Sequence, residues 1–178
     1  MSAASSVQKG LEGVVASETK ISDVDGVRCQ LIYRGYSIDE LAGKATYEEV
    51  AYLLLHGNLP SRKELDAWHE ELRVRRPLEP ETLRLMQQLP LADPMAYLRT
   101  VASAIGLAEP TANDTSPQAL RRHAVNLIAK TPTIVVLFDR FRRKKPMLGP
   151  KPDLGHSANF LYMLHGEDTS PKHVAAMD

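Results

Sequence analysis

The side chains with most capacity for chemistry in this 178-residue sequence are six histidines, one cysteine and the basic run "RFRRKK" from Arg140 to Lys145. Imidazole titrates near neutral pH and ligates zinc, so the histidines invite an acid–base or metal reading. Their placement argues otherwise. His56 in "LLLHGNLP" and His165 in "LYMLHGED" each precede a glycine at the end of a helical stretch, where a protonated ring meets the negative end of the helix dipole. His69, His123 and His173 fall among charged residues on helices and read as surface groups. His156 in "DLGHSANF" is the most suggestive, because it precedes a helix start beside Asn159, but it too is read as structural.

Cys29 has no second cysteine for a disulfide or a metal cluster, which suits a reducing compartment, and the cytoplasm is the expected location. "RFRRKK" follows an apolar helix, where cations are favoured by the dipole, and reads as a solvated helix end. "RVRR", Arg73 to Arg76, and the pair Arg121–Arg122 receive the same reading. A phosphate contact for a CoA-type ligand remains the functional alternative for "RFRRKK"; a nucleic-acid patch would need interleaved aromatics that the run lacks. "GPKPDLGHS" places its lysine wrongly for a phosphate-binding loop, and G-x-G-x-x-G, G-x-S-x-G and H-E-x-x-H do not occur. No catalytic, cofactor-binding or metal-ligating residue is assigned.

Lys+Arg and Asp+Glu both number 22, so net charge offers no general attraction to nucleic acid or to an anionic membrane. The longest apolar run, Ile134 to Phe138, is far short of the roughly 20 residues that span a bilayer. The composition, 43% hydrophobic and 25% charged, is that of a globular chain able to bury a core.

The elements that must position these residues are mainly helical. Residues 1–9, "MSAASSVQK", read as a disordered tail, followed by one domain over 10–178. "GVVASETKISDVDG" and "VRCQLIY" read as strands of a β-hairpin turning at Asp25-Gly26, and Gly35 supplies the positive φ with which the chain leaves the second strand. Capping boxes stand at Ser37/Glu40, Thr46/Glu49 and Ser61/Glu64. A polar cap followed by proline opens helices at Asp93-Pro94, Ser116-Pro117 and Ser170-Pro171, and Gly57 and Gly166 close two others. Helices are predicted near 38–43, 47–56, 62–75, 81–89, 94–107, 117–130, 132–144, 157–165 and from 171 onward, with Pro132 splitting or kinking the longest. Trp68, Leu53, Leu54, Leu55, Ile128, Val135 and Val136 are the expected core. The last helix has only about two turns before Asp178 and no closing glycine, so the domain is expected to be truncated there.

Several segments taken together resemble the citrate synthase family, including its 2-methylcitrate synthase branch. They are "GLEGVVASETKISDVDG" with "LIYRGYSIDELA", then "TYEEVAYLLLHGNLPSRKEL", "DPMAYLRTVASAIG", "AVNLIAKTPTIVVLFDRFR" and "PDLGHSANFLYMLHGEDTSP", in the family's order. The resemblance implies the N-terminal portion of a multi-helical large domain preceded by a short β-hairpin, in a homodimeric enzyme. That enzyme condenses acetyl-CoA, its co-substrate, with oxaloacetate and hydrolyses the citryl thioester, by acid–base chemistry joined to electrostatic clamping. The family's His-x-Asp-His-Glu, Pro-x-His-Gly-Gly-Ala-Asn and Gly-x-Gly-His segments and its catalytic aspartate match nothing before Asp178, so the chain alone is expected to be inactive. "LHGN" and "LHGED" align with helix ends, not with the His-Gly-Gly motif. Arg34 belongs to a family fingerprint and either pairs locally or approaches a ligand across a dimer interface; the structural role is favoured. The alternative to an enzyme portion is a non-catalytic scaffold or assembly module, including one half of a split synthase paired with a separately encoded C-terminal half.

Overall fold

In the computed structural model, residues 15, 17–167 and 169–178 are described; the expected tail over 1–9 lies outside them. A small antiparallel sheet opens the chain: β1 (Ser22–Asp25), β2 (Gln30–Tyr33) and β3 (Tyr36–Ser37), in that order across the sheet. The hairpin predicted at Asp25-Gly26 is present, with a wider loop than a two-residue turn. Residues 26–29 form it because the Asp25 carboxylate accepts from the Val27 and Arg28 N–H groups, both at 2.9 Å, and Cys29 takes φ 53°. Val27, Arg28 and Cys29 therefore leave the predicted strand. A second correction is β3: Arg34 (φ 50°) and Gly35 (φ 91°) form a tight turn in which both residues are left-handed, and Tyr33 pairs with Tyr36.

Eight helices follow among the described residues: α1 (Ile38–Leu41), α2 (Tyr47–His56), α3 (Arg62–Arg75), α4 (Pro80–Gln88), α5 (Pro94–Ala108), α6 (Pro117–Arg142), α7 (His156–His165) and α8 (Pro171–Met177). All three predicted capping boxes form. Asp93 and Ser116 cap through their side chains, at 2.7 Å to the Ala96 N–H and 3.3 Å to the Ala119 N–H, whereas Ser170 makes no side-chain cap bond. Gly57 and Gly166 close α2 and α7, each at φ 94°.

The clearest departure is α6. The helix is not split at Pro132: one continuous element runs through it, where a split or kink was expected. An internal proline costs about 3 kcal/mol of helix propensity, and burial on both sides offsets it. Val125 and Ala129 before the proline pack with Tyr52, Trp68 and Leu72 of α2 and α3. Ile134, Leu137 and Phe138 after it pack with Leu78, Met86, Tyr97 and Val101. Thus α6 is the spine shared by two apolar clusters. Trp68, Leu53 and Val136 are core as expected, but Val135 is 40% exposed on the outer face of α6.

Candidate functional site

The histidine that stood out in the sequence lies at a buried polar junction of α2, α3, α7 and α8. His156 begins α7 and is only 6% exposed. Its ring stacks on Tyr47 of α2 at 4.6 Å between centroids, nearly parallel at 12°. Gly155, the residue before α7, has no side chain to cap the helix, and the cap is supplied from α2: the buried Glu48 carboxylate accepts the His156 backbone N–H at 2.6 Å. A carboxylate at a helix N-terminus meets both an orphan donor and the positive end of the dipole. A Cβ on Gly155 would come within 3.4 Å of that same carboxylate oxygen, so the glycine lets Glu48 approach.

Arg76, at the end of α3, is buried beside this cap and donates from Nη1 to the Leu154 carbonyl at 2.6 Å. On the other side, the Ser157 hydroxyl donates to the Asp178 carboxylate at 2.7 Å, tying α7 to the end of α8. Asn159 fastens the preceding loop, its side-chain oxygen accepting the Lys151 N–H at 2.8 Å. Trp68 donates its indole N–H to the Glu48 carbonyl at 3.0 Å, which links the junction to the apolar cluster beneath.

The electrostatics explain the state of His156. Burial, then the nearby Arg76 guanidinium, push its pKa down to about 4, and Asp178 only partly opposes them. The ring is neutral at pH 7. Neither ring nitrogen has a hydrogen-bond partner among the described residues. Within the chain the ring is therefore held by its stack on Tyr47 and by burial, with no acid, base or nucleophile on either nitrogen among the described residues. Outside the junction opens a polar cavity of about 230 Å³, lined by Asp66, His69, Glu70, Arg73, Arg76 and Asp153 among others.

The remaining marked residues are dispersed. His69 and His173 are exposed, His165 is exposed at the end of α7, and His123 is half-buried with its Nε2 3.2 Å from the Thr111 hydroxyl. No group of three or more potential metal ligands occurs among the described residues, and none of their helices is long and apolar enough to cross a membrane. The His56 pKa is lowered by burial and by Arg121, against the pull of Glu71 and Glu64.

The arginines carry more of the structure than the sequence indicated. "RFRRKK" is not simply a solvated end, because Arg140 is 4% exposed and donates to the Pro146 carbonyl at 2.6 Å, to Met163 at 2.9 Å and to Leu164 at 3.4 Å. Two of these are terminal carbonyls of α7, and α6 thereby caps its C-terminus. Arg142 and Arg143 pair with Asp139. Arg76 likewise breaks the surface reading of "RVRR". Arg34 also makes a local cap: Nε at 3.1 Å and Nη2 at 2.7 Å both donate to the Leu54 carbonyl, closing α2 from the turn between β2 and β3. A helix ending in His-Gly leaves carbonyls that need donors, and that need was the available signal for these arginines.

Fold and junction together define a mainly helical scaffold with a small N-terminal sheet, its helix ends tied by buried charged side chains. The chain belongs to the citrate synthase family: the family model "Citrate synthase, C-terminal domain" matches residues 10–178. Citrate synthase of Haloferax volcanii is 42% identical over 175 residues, which are 96% of this chain and 46% of that protein. The crystal structure of citrate synthase from Pyrobaculum aerophilum superposes with a TM-score of 0.86 at 38% identity, covering 93% of this chain and 44% of that one. The ternary complex of carboxymethyl coenzyme A and oxaloacetate with citrate synthase from Thermoplasma acidophilum matches with a TM-score of 0.83 at 25% identity, covering 94% of this chain and 45% of that one. The chain thus spans about half the length of the relatives it matches.

Proposed function

We propose that this chain is the N-terminal part of a citrate synthase-type enzyme that condenses acetyl-CoA with oxaloacetate to give citrate and CoA. The observation that carries the proposal is agreement at two levels: 42% identity to a citrate synthase over 96% of the chain, and a fold shared with a citrate synthase that binds a CoA derivative and oxaloacetate. In this reading the chain supplies scaffold. His156, neutral and stacked on Tyr47, is in this reading a packing group and not an acid–base group. The acid–base groups and the carboxylate clamps then come from other parts of the enzyme, and the α7 junction fixes the helices against which those parts pack.

The complete enzyme is a homodimer in this proposal. Its support is an apolar face on α6, where Leu120, Leu127 and Val135, spaced by seven and eight residues, are all exposed together with Met95 and Leu107 of α5. The native protein supplied with oxaloacetate and acetyl-CoA should release CoA thiol and form citrate in equal amounts. Absence of citrate, with or without thioester hydrolysis, would overturn the proposal.

A further inference from the structure

A second tyrosine-stacked histidine lies where α2, α3 and α6 meet, and it has a partner that His156 lacks. The His56 ring lies on Tyr52 at 4.0 Å and 14°, stands edge-on to Trp68 at 6.1 Å, and presents Nε2 to Nη2 of Arg121 at 3.3 Å. Arg121 also grips Glu71 of α3 with two nitrogens, at 3.2 and 3.0 Å. Guanidinium nitrogens only donate, so Nε2 must offer its lone pair and the ring proton sits on Nδ1. The charged groups acting on the ring are Glu64 and Glu71 of α3 and Arg121 of α6.

We propose that the His56–Arg121 contact is a proton-gated tie between the C-terminal end of α2 and the first turns of α6. A proton on Nε2 would set N–H against N–H and place two cations side by side. Arg121 has a ready alternative in Glu71, so acidification removes this polar tie and leaves Arg121 paired with α3 alone, while the apolar contact of Tyr52 with Val125 and Ala129 persists. The device stands or falls independently of the proposed synthase activity.

The test is a ¹⁵N-histidine titration of the full protein, with His56→Gln identifying the resonance. At neutral pH, Nε2 of His56 should show the chemical shift of an unprotonated nitrogen, and amides of residues 117–121 should titrate with the His56 midpoint. Arg121→Gln should raise that midpoint by roughly half to one pH unit, the size of a water-screened charge about 3 Å away, and should abolish the matching titration in 117–121. Glu71→Gln, which removes the opposing carboxylate, should lower the midpoint. A protonated Nε2 at neutral pH, an unchanged midpoint in Arg121→Gln, or α6 amides blind to His56 would each overturn the proposal.

Discussion

Helices α2 and α7 make a natural pair: each has ten residues, each ends in His-Gly, and each closes on a glycine at φ 94°. They are held in place differently. The N-terminus of α2 is capped from within by Thr46 and Glu49, whereas α7 has no cap of its own and takes the Glu48 carboxylate from α2. Both C-termini are closed by an arginine from elsewhere, but Arg34 is half-exposed on a turn and Arg140 is buried on the spine helix. Identical punctuation in the sequence thus conceals a helix specified mostly by itself and one specified mostly by its neighbours.

The largest effect expected from that difference is at Arg140. Arg140→Ala strips buried carbonyls of a charged donor and should cost about 4 kcal/mol in urea unfolding, the sum of unsatisfied groups at 1–3 kcal/mol each. A loss below that of Arg34→Ala would break the comparison. Next comes acid. His156 has its folded pKa depressed to about 4 from the usual 6.5, so its stabilising contribution is full above 6.5 and is lost as pH falls toward 4. The integrated loss is on the order of 3 kcal/mol. Measured from pH 7 to 4, the unfolding midpoint of the wild type should fall relative to that of His156→Phe; parallel curves would show that the ring does not titrate as described.

Smaller effects sharpen the contrast at α2. Arg34→Ala should cost about 1–2 kcal/mol, because water can reach the Leu54 carbonyl that it leaves. Thr46→Ala should cost about 1 kcal/mol, and native-state hydrogen exchange should locate the loss in the first turn of α2. Gly57→Ala and Gly166→Ala should cost nearly equal amounts, about 1 kcal/mol each, since both share φ 94° and neither Cβ would meet an atom closer than 3.7 Å. A large inequality between the two would mean that side-chain packing, and not backbone strain, decides those positions.

What was legible in the sequence follows the same division. The capping boxes at Ser37, Thr46 and Ser61 and the stops at Gly57 and Gly166 were visible because donor and acceptor lie within a few residues of one another. The Glu48 cap spans 108 residues, the Arg76 bond to Leu154 spans 78, and the arginine caps span 20 or more, so no local pattern announces them. The continuity of α6 through Pro132 was hidden for a related reason: the local cost of the proline is plain in the sequence, whereas the two clusters that offset it exist only after folding. The neutrality of His156 also required the fold, because only the fold brings Arg76 and burial to the ring. Its neighbourhood at the start of a helix was nonetheless enough to single it out.

Under the proposed function this chain is a scaffold portion of a citrate synthase-type enzyme and does not carry the chemistry by itself. The most direct measurement is release of CoA thiol from acetyl-CoA and oxaloacetate by the purified 178-residue polypeptide, run beside the native protein with the intact mass of each recorded. The account predicts release by a native protein whose mass exceeds 19.7 kDa, and none above background by the 178-residue chain alone. Turnover by the isolated chain would contradict it, and would require an active site among the residues described above.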